Sequence, residues 1–100
     1  MIIEFYAPDG AISESIINYA RNGILKLHKE HKNISRADVS FRQKKRQSGL
    51  ERICEINLFI AGNTITAKGI CKNFDHACSK AIDALHENLV LSLKQKMHLL

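Results

Sequence analysis

At 100 residues with 45% apolar side chains, the chain has material for one domain around a modest core. Fifteen Lys and Arg against ten Asp and Glu leave a net charge of +5, ordinary for a soluble protein and compatible with a polyanionic partner. No apolar run approaches the ~20 residues that span a bilayer, and "MIIEFYAPDG" lacks the basic n-region, apolar h-region and small-residue cleavage site of a secretory signal. The expectation is a single cytoplasmic domain over residues 1–100, with no membrane partner.

Ile2 to Tyr6 is a short apolar run stopped by Pro8-Asp9-Gly10, a strand and a turn. Ser13 is a suitable N-cap. Ile16, Ala20, Ile24, Leu27 and His31 then recur at three or four residues, which predicts a helix from about Ser13 to Lys32 with one buried face. Its polar face carries Glu14, Asn18, Arg21, Lys29 and Lys32. Gly23, in the middle, is read either as a close approach to another element or as a tolerated defect.

Ala37, Val39 and Phe41 alternate with Asp38, Ser40 and Arg42, the pattern of a half-buried strand. Cys54, Ile56, Leu58 and Ile60 form another. Gly62-Asn63 reads as a two-residue hairpin turn, with Ile65, Ala67, Gly69 and Cys71 on the return strand. That turn sets Ile60 opposite Ile65 and Cys54 opposite Cys71, all on the core side. The three cysteines are an odd number without C-x-x-C spacing, and they read as small core residues in a reducing compartment. From Phe74, the stripe Ala77, Cys78, Ala81, Ile82, Leu85, Leu89 and Leu93 predicts a second helix to about Gln95. The order β-α-β-β-β-α, with one apolar sheet face and two amphipathic helices, is a two-layer α+β domain.

Between the second and third strands lies "FRQKKRQSGLER", residues 41–52. It holds Arg42, Lys44, Lys45, Arg46 and Arg52 against Glu51, a net +4, so the rest of the chain sums to only +1. The stretch is placed as an exposed connection with Gly49 near its tip. Charge so concentrated points to phosphate contact; a solvated loop that keeps a sheet edge soluble is the other reading. Tyr6 and Phe59 fall on the sheet face away from the helices, as stacking platforms for bases or as scattered surface aromatics.

Catalytic signatures do not emerge. Asp75, His76 and Asp83 have no nucleophile to serve, and neither a G-x-S-x-G elbow nor a phosphate-binding glycine loop occurs. His28 and His31, three apart on a helix, lack the further ligands a metal needs. No enzyme activity, metal, cofactor or small-molecule substrate is expected. Val90, Leu91, Met97, Leu99 and Leu100 would leave an apolar patch at the C-terminus, either a self-association surface or a tail folded back on the domain.

Three stretches together resemble one family. "ISESIINYARNGILKL" is similar to its first helix, "EINLFIAGNTITAKG" to its third strand, turn and return strand, and "NFDHACSKAIDALHENL" to its second helix. The family is that of the ribosome hibernation promoting factors and ribosome-associated inhibitors, also called sigma-54 modulation proteins; longer members add a C-terminal dimerisation domain, and the resemblance leads to the expectation of a short form here. The resemblance implies a four-stranded sheet with two helices on one face, similar in shape to double-stranded RNA-binding domains. It implies binding to the small ribosomal subunit and its rRNA, blocked translation and protected idle ribosomes.

Family members carry basic residues along both helices. Here the first helix retains Lys26, while positions expected to be basic fall on Ile17 and Gly23. On the second helix they fall on Ala84, Glu87, Leu91 and Leu93, and an expected aromatic falls on Asp75. The expected rRNA contacts are therefore Arg42, Lys44, Lys45, Arg46 and Arg52 of the basic stretch, Arg21, Lys26 and Lys29 of the first helix, and Lys80, Lys94 and Lys96 of the second. The alternative is a non-ribosomal interaction module of the same fold, a homodimer through its second helix and C-terminal tail.

Overall fold

The computed structural model describes residues 1–98, with side chains described to Lys94. Six elements follow in chain order: β1 (Ile2–Tyr6), α1 (Glu14–Glu30), β2 (Ile34–Arg46), β3 (Gly49–Ile60), β4 (Asn63–Cys71) and α2 (Phe74–His98). They build one mixed sheet in the order β1-β2-β3-β4, with β1 parallel to β2 and the other neighbours antiparallel. Both helices cover the same face, as expected.

The core lies between these layers. Val39, Phe41, Cys54, Ile56 and Leu58 from the sheet meet Ala20, Ile24, Cys78, Ala81 and Leu85 from the helices, all nearly or fully buried. Local chemistry sets the helix ends. Ser13 Oγ accepts from the Ile16 N–H at 3.4 Å, and the His31 N–H closes α1 on the Leu27 carbonyl at 2.9 Å. Lys32 thus lies just outside the helix. At α2, Asn73 Oδ1 accepts from the His76 N–H at 2.9 Å, with Asp75 in the first turn favouring the positive helix end.

Gly23 is a close approach. A Cβ there would stand 2.6 Å from Ile82 Cδ1, so the missing side chain lets α1 lie against α2. Gly69 plays the same part more strictly. A Cβ there would meet the Ala77 carbonyl oxygen at 2.0 Å, so α2 rests almost directly on the backbone of β4.

Four expectations need correction. The β3–β4 turn is Ala61-Gly62, both with positive φ (49° and 80°), the geometry of the hairpin turn whose twist matches the strands. Ile60 therefore pairs with Asn63, Leu58 with Ile65, and Cys54 with Gly69 rather than Cys71. The faces survive because the register differs by two residues, one full side-chain period. Cys71 lies opposite Arg52, and all three cysteines are free thiols.

Second, the basic stretch is not a loop. Pairing continues to Arg46 and Gly49, and only Gln47 and Ser48 turn the chain. Apolar alternation stops at Phe41 because the helix layer stops there, while backbone pairing needs no core beneath it.

Third, Leu93 is 36% exposed, although it continues the buried stripe. Leu89 is still buried and Asn88 still reaches the Thr66 carbonyl at 2.9 Å; one turn later α2 has passed the end of the sheet. Fourth, α2 continues beyond Gln95 to His98. The Lys96 and Met97 side chains, and Leu99 and Leu100 altogether, lie outside what the structure describes.

Candidate nucleic-acid interface

The residues of β2 and β3 beyond Ser40 and Arg52 have strand partners only in each other, though the Gln43 N–H also donates to Asp9 Oδ2 at 2.9 Å. β1 stops at Tyr6 opposite Ser40, and β4 stops at Cys71 opposite Arg52. A two-stranded ribbon therefore projects from one end of a molecule 48 Å long, and every residue from Arg42 to Leu50 is exposed. Alternation splits its cations between two sides. Arg42, Lys44 and Arg46 face the open side of the sheet. Lys45 and Arg52 share the side of Phe41 and Cys54, toward the helices.

The two sides differ electrostatically. All five ion pairs among the described residues lie on the open face. They join Arg36 to Glu4 and Asp38, Arg42 and Lys68 to Glu55, and Arg46 to Glu51. Arg36 is held by two carboxylates, donating to Asp38 at 2.8 Å, and that hydrogen bond leads the effects that raise its pKa further. It also donates to the Tyr6 hydroxyl at 3.4 Å, which in turn donates to Glu4. Tyr6 is thus tied into a polar network. Phe59 lies in another row of the sheet, opposite Arg36. Of the three ribbon cations on this face, only Lys44 forms no ion pair among the described residues.

On the helix side the cations are positioned by carbonyls and rings instead of carboxylates. Arg52 stacks over Phe74, 5.9 Å to the centroid, and its guanidinium donates to the Lys72 carbonyl. Lys80 Nζ donates to the Ile70 carbonyl at 3.4 Å. Arg21 caps the other end of the same aromatic row: it stands 5.3 Å over Phe5, Phe5 stacks on Phe41 at 6.4 Å, and Phe41 meets Phe74 edge-on at 5.7 Å. The row anchors Arg21 and Arg52 against the core.

The eleven expected contacts do not converge on one spot. Arg42, Lys44, Lys45, Arg46, Arg52 and Lys80 gather at the ribbon, and Arg21 lies at the far end of the aromatic row. Lys26 and Lys29 line a groove of about 660 Å³ between α1 and α2, with Tyr19, Asp83 and His86. Lys94 stands on the opposite end of α2, beyond the sheet. Sequence reasoning missed Lys72. It precedes the Asn73 cap of α2 and lines a small pocket at the ribbon root with Lys80; its signal was a cation directly between a strand end and a helix cap.

Elsewhere the chemistry is quiet. No group of three or more His, Cys, Asp or Glu among the described residues could hold a metal. The Cys54 thiol is pushed well up by its hydrogen bond with Cys78 and by burial, so it stays protonated. No helix among the described residues is long and apolar enough to cross a membrane.

Fold and site together define a two-layer α+β protein with a cationic β-ribbon. The chain belongs to the sigma 54 modulation protein / S30EA ribosomal protein family, whose model matches residues 3–97. Among solved structures, a ribosomal subunit interface protein from Coxiella burnetii is similar, with a TM-score of 0.71 and 18% identity over 97% of this chain and 99% of that one. The N-terminal domain of Thermus thermophilus Protein Y is similar with a TM-score of 0.69 and 17% identity, over 85% of this chain and 91% of that one. At these identities the likeness is one of fold. No curated protein sequence matches the chain.

Proposed function

We propose that this protein is a cytoplasmic, ribosome-associated translation inhibitor that binds rRNA of the small subunit and protects idle ribosomes. It acts by occupancy and not by catalysis. Family membership supports ribosome association, and the similar structure from Coxiella burnetii is that of a ribosomal subunit interface protein. The observation that carries the rRNA reading is the projecting ribbon, which presents Lys44 and Lys45 to solvent without an ion pair among the described residues. Phosphate binding by such cations releases counterions and makes affinity fall steeply with salt. Co-sedimentation with purified small subunits at two salt concentrations tests it. The expected result is binding at low salt that weakens steeply at high salt; no co-sedimentation at either concentration overturns the reading.

A second reading has its own observation. Leu91 is 56% exposed on α2, and Leu93 is 36% exposed. Both occupy positions that the family resemblance expects to be basic. A helix face turned apolar fits a second copy of the chain better than phosphate, and a homodimer through α2 would use it.

A further inference from the structure

β4 ends at Cys71 opposite Arg52, while β3 runs on to Gly49. The step leaves a pocket of about 220 Å³ at the root of the ribbon, walled by Gly49, Leu50, Ile70, Cys71, Lys72 and Lys80. Resting on the rRNA-binding reading, we infer that this pocket seats one phosphodiester of the bound RNA strand, with Lys72 and Lys80 on the phosphate and Leu50 against the adjoining ribose.

Four observations carry the assignment. The first is charge. Lys80 is held over the pocket by the Ile70 carbonyl, and Arg52 is drawn to its edge by the Lys72 carbonyl. Neither they nor Lys72 forms an ion pair among the described residues, so their charge remains available. The second is the fate of the one acid in the lining. Glu51 is turned to Arg46, which donates to it at 2.6 Å, so it does not neutralise the lysines. The third is the apolar component. Leu50, 38% exposed, stands on the helix side of the ribbon opposite Lys45, an aliphatic surface beside the cations, suited to a sugar between charged groups. The fourth is size. The volume holds roughly seven waters at ~30 Å³ each, which suits a phosphate with its ribose and is below the ~300–1,000 Å³ of sites that enclose whole small molecules. Lys45 pairs with Leu50 on the helix side of the ribbon, so a strand held by Lys45 lies beside the Leu50 wall of this pocket.

Cys71 lines this pocket and is half-buried, whereas Cys54 and Cys78 are sealed in the core. Its alkylation by iodoacetamide, read by mass spectrometry with the other two thiols as internal controls, reports occupancy directly. The test compares wild type, Lys72→Gln/Lys80→Gln and Lys44→Gln/Lys45→Gln, with small subunits as the probe. The expected result is slower Cys71 alkylation in the wild-type complex, and a salt slope for Lys72→Gln/Lys80→Gln reduced by about 0.7–0.9, the share of one phosphate. Unprotected Cys71 with an unchanged slope for that variant, while Lys44→Gln/Lys45→Gln binds more weakly, overturns the pocket and leaves the ribbon reading standing. Wild type that does not bind subunits overturns both. All four lysines are exposed, so the variants keep the fold, which circular dichroism verifies.

Discussion

Arg46 Nε donates to Glu51 Oε1 at 2.6 Å across the tip of the ribbon, and this pair makes one of the most basic-looking positions in the chain locally neutral. Arg42 is similarly engaged with Glu55 at 3.5 Å. Phosphate would have to compete with those carboxylates, whereas Lys44 and Lys45 offer their charge outright. Substituting Lys44→Gln and Lys45→Gln should therefore flatten the salt dependence of subunit binding by about two phosphates' worth, roughly 1.4–1.8 in slope. Glu51→Gln should tighten binding, because it releases Arg46. A Glu51→Gln variant that binds no more tightly than wild type would show that Arg46 does not reach phosphate.

The two faces of β3 give a contrast in stability. Leu58 is fully buried between sheet and helices, so Leu58→Ala should cost about 2–5 kcal/mol. Asn57, its neighbour on the open face, accepts a hydrogen bond from Thr66 Oγ1 at 2.8 Å near solvent. Its loss should cost about 0.5–1.5 kcal/mol. Urea titrations of the two variants, compared at equal m-value, decide whether the faces are assigned correctly.

Two glycines should respond differently to alanine. At Gly69 the new Cβ would stand 2.0 Å from the Ala77 backbone oxygen and 2.6 Å from the Ala81 nitrogen. Backbone cannot swing aside, so α2 must lift from β4, at a cost of at least about 1–3 kcal/mol. At Gly23 the obstacle is the end of the Ile82 side chain, which can change rotamer, and alanine gains ~1 kcal/mol of helix propensity. Thermal melts should rank Gly69→Ala well below Gly23→Ala, with the latter near wild type; equal melting temperatures would refute the close packing of α2 on the sheet.

Leu91 tests the dimer reading. Light scattering at micromolar concentration should give twice the chain mass for wild type and the monomer mass for Leu91→Glu, since a carboxylate at a paired apolar face cannot be buried unpartnered. A wild-type mass equal to one chain, unaffected by the substitution, removes the dimer and leaves Leu91 as an isolated exposed side chain.

Much of the architecture is written in side-chain period. Alternation at Val39 and Phe41, at Ile56 and Leu58, and at Ile65 and Ala67 identifies which strand faces are buried, and the three-to-four spacing of Ala20, Ile24 and Leu27 does the same for α1. Ser13 as a cap, the element order and the family resemblance are equally local, because each depends on neighbours in the chain. Register is not. A two-residue shift leaves every face unchanged, so the pairing of Cys54 with Gly69 required the positive-φ turn at Ala61-Gly62 and the descent of α2 onto Gly69. The ribbon was hidden for a related reason: where no helix lies below, strands pair without an apolar face, and Arg42 to Arg46 carry no burial pattern to read. Which cations remain free was decided last. Net charge counts Arg46 and Lys44 alike, and the register sets Glu51 directly opposite Lys44, yet its carboxylate reaches diagonally to Arg46, since an ion pair depends on side-chain distances of a few ångströms that folding alone sets.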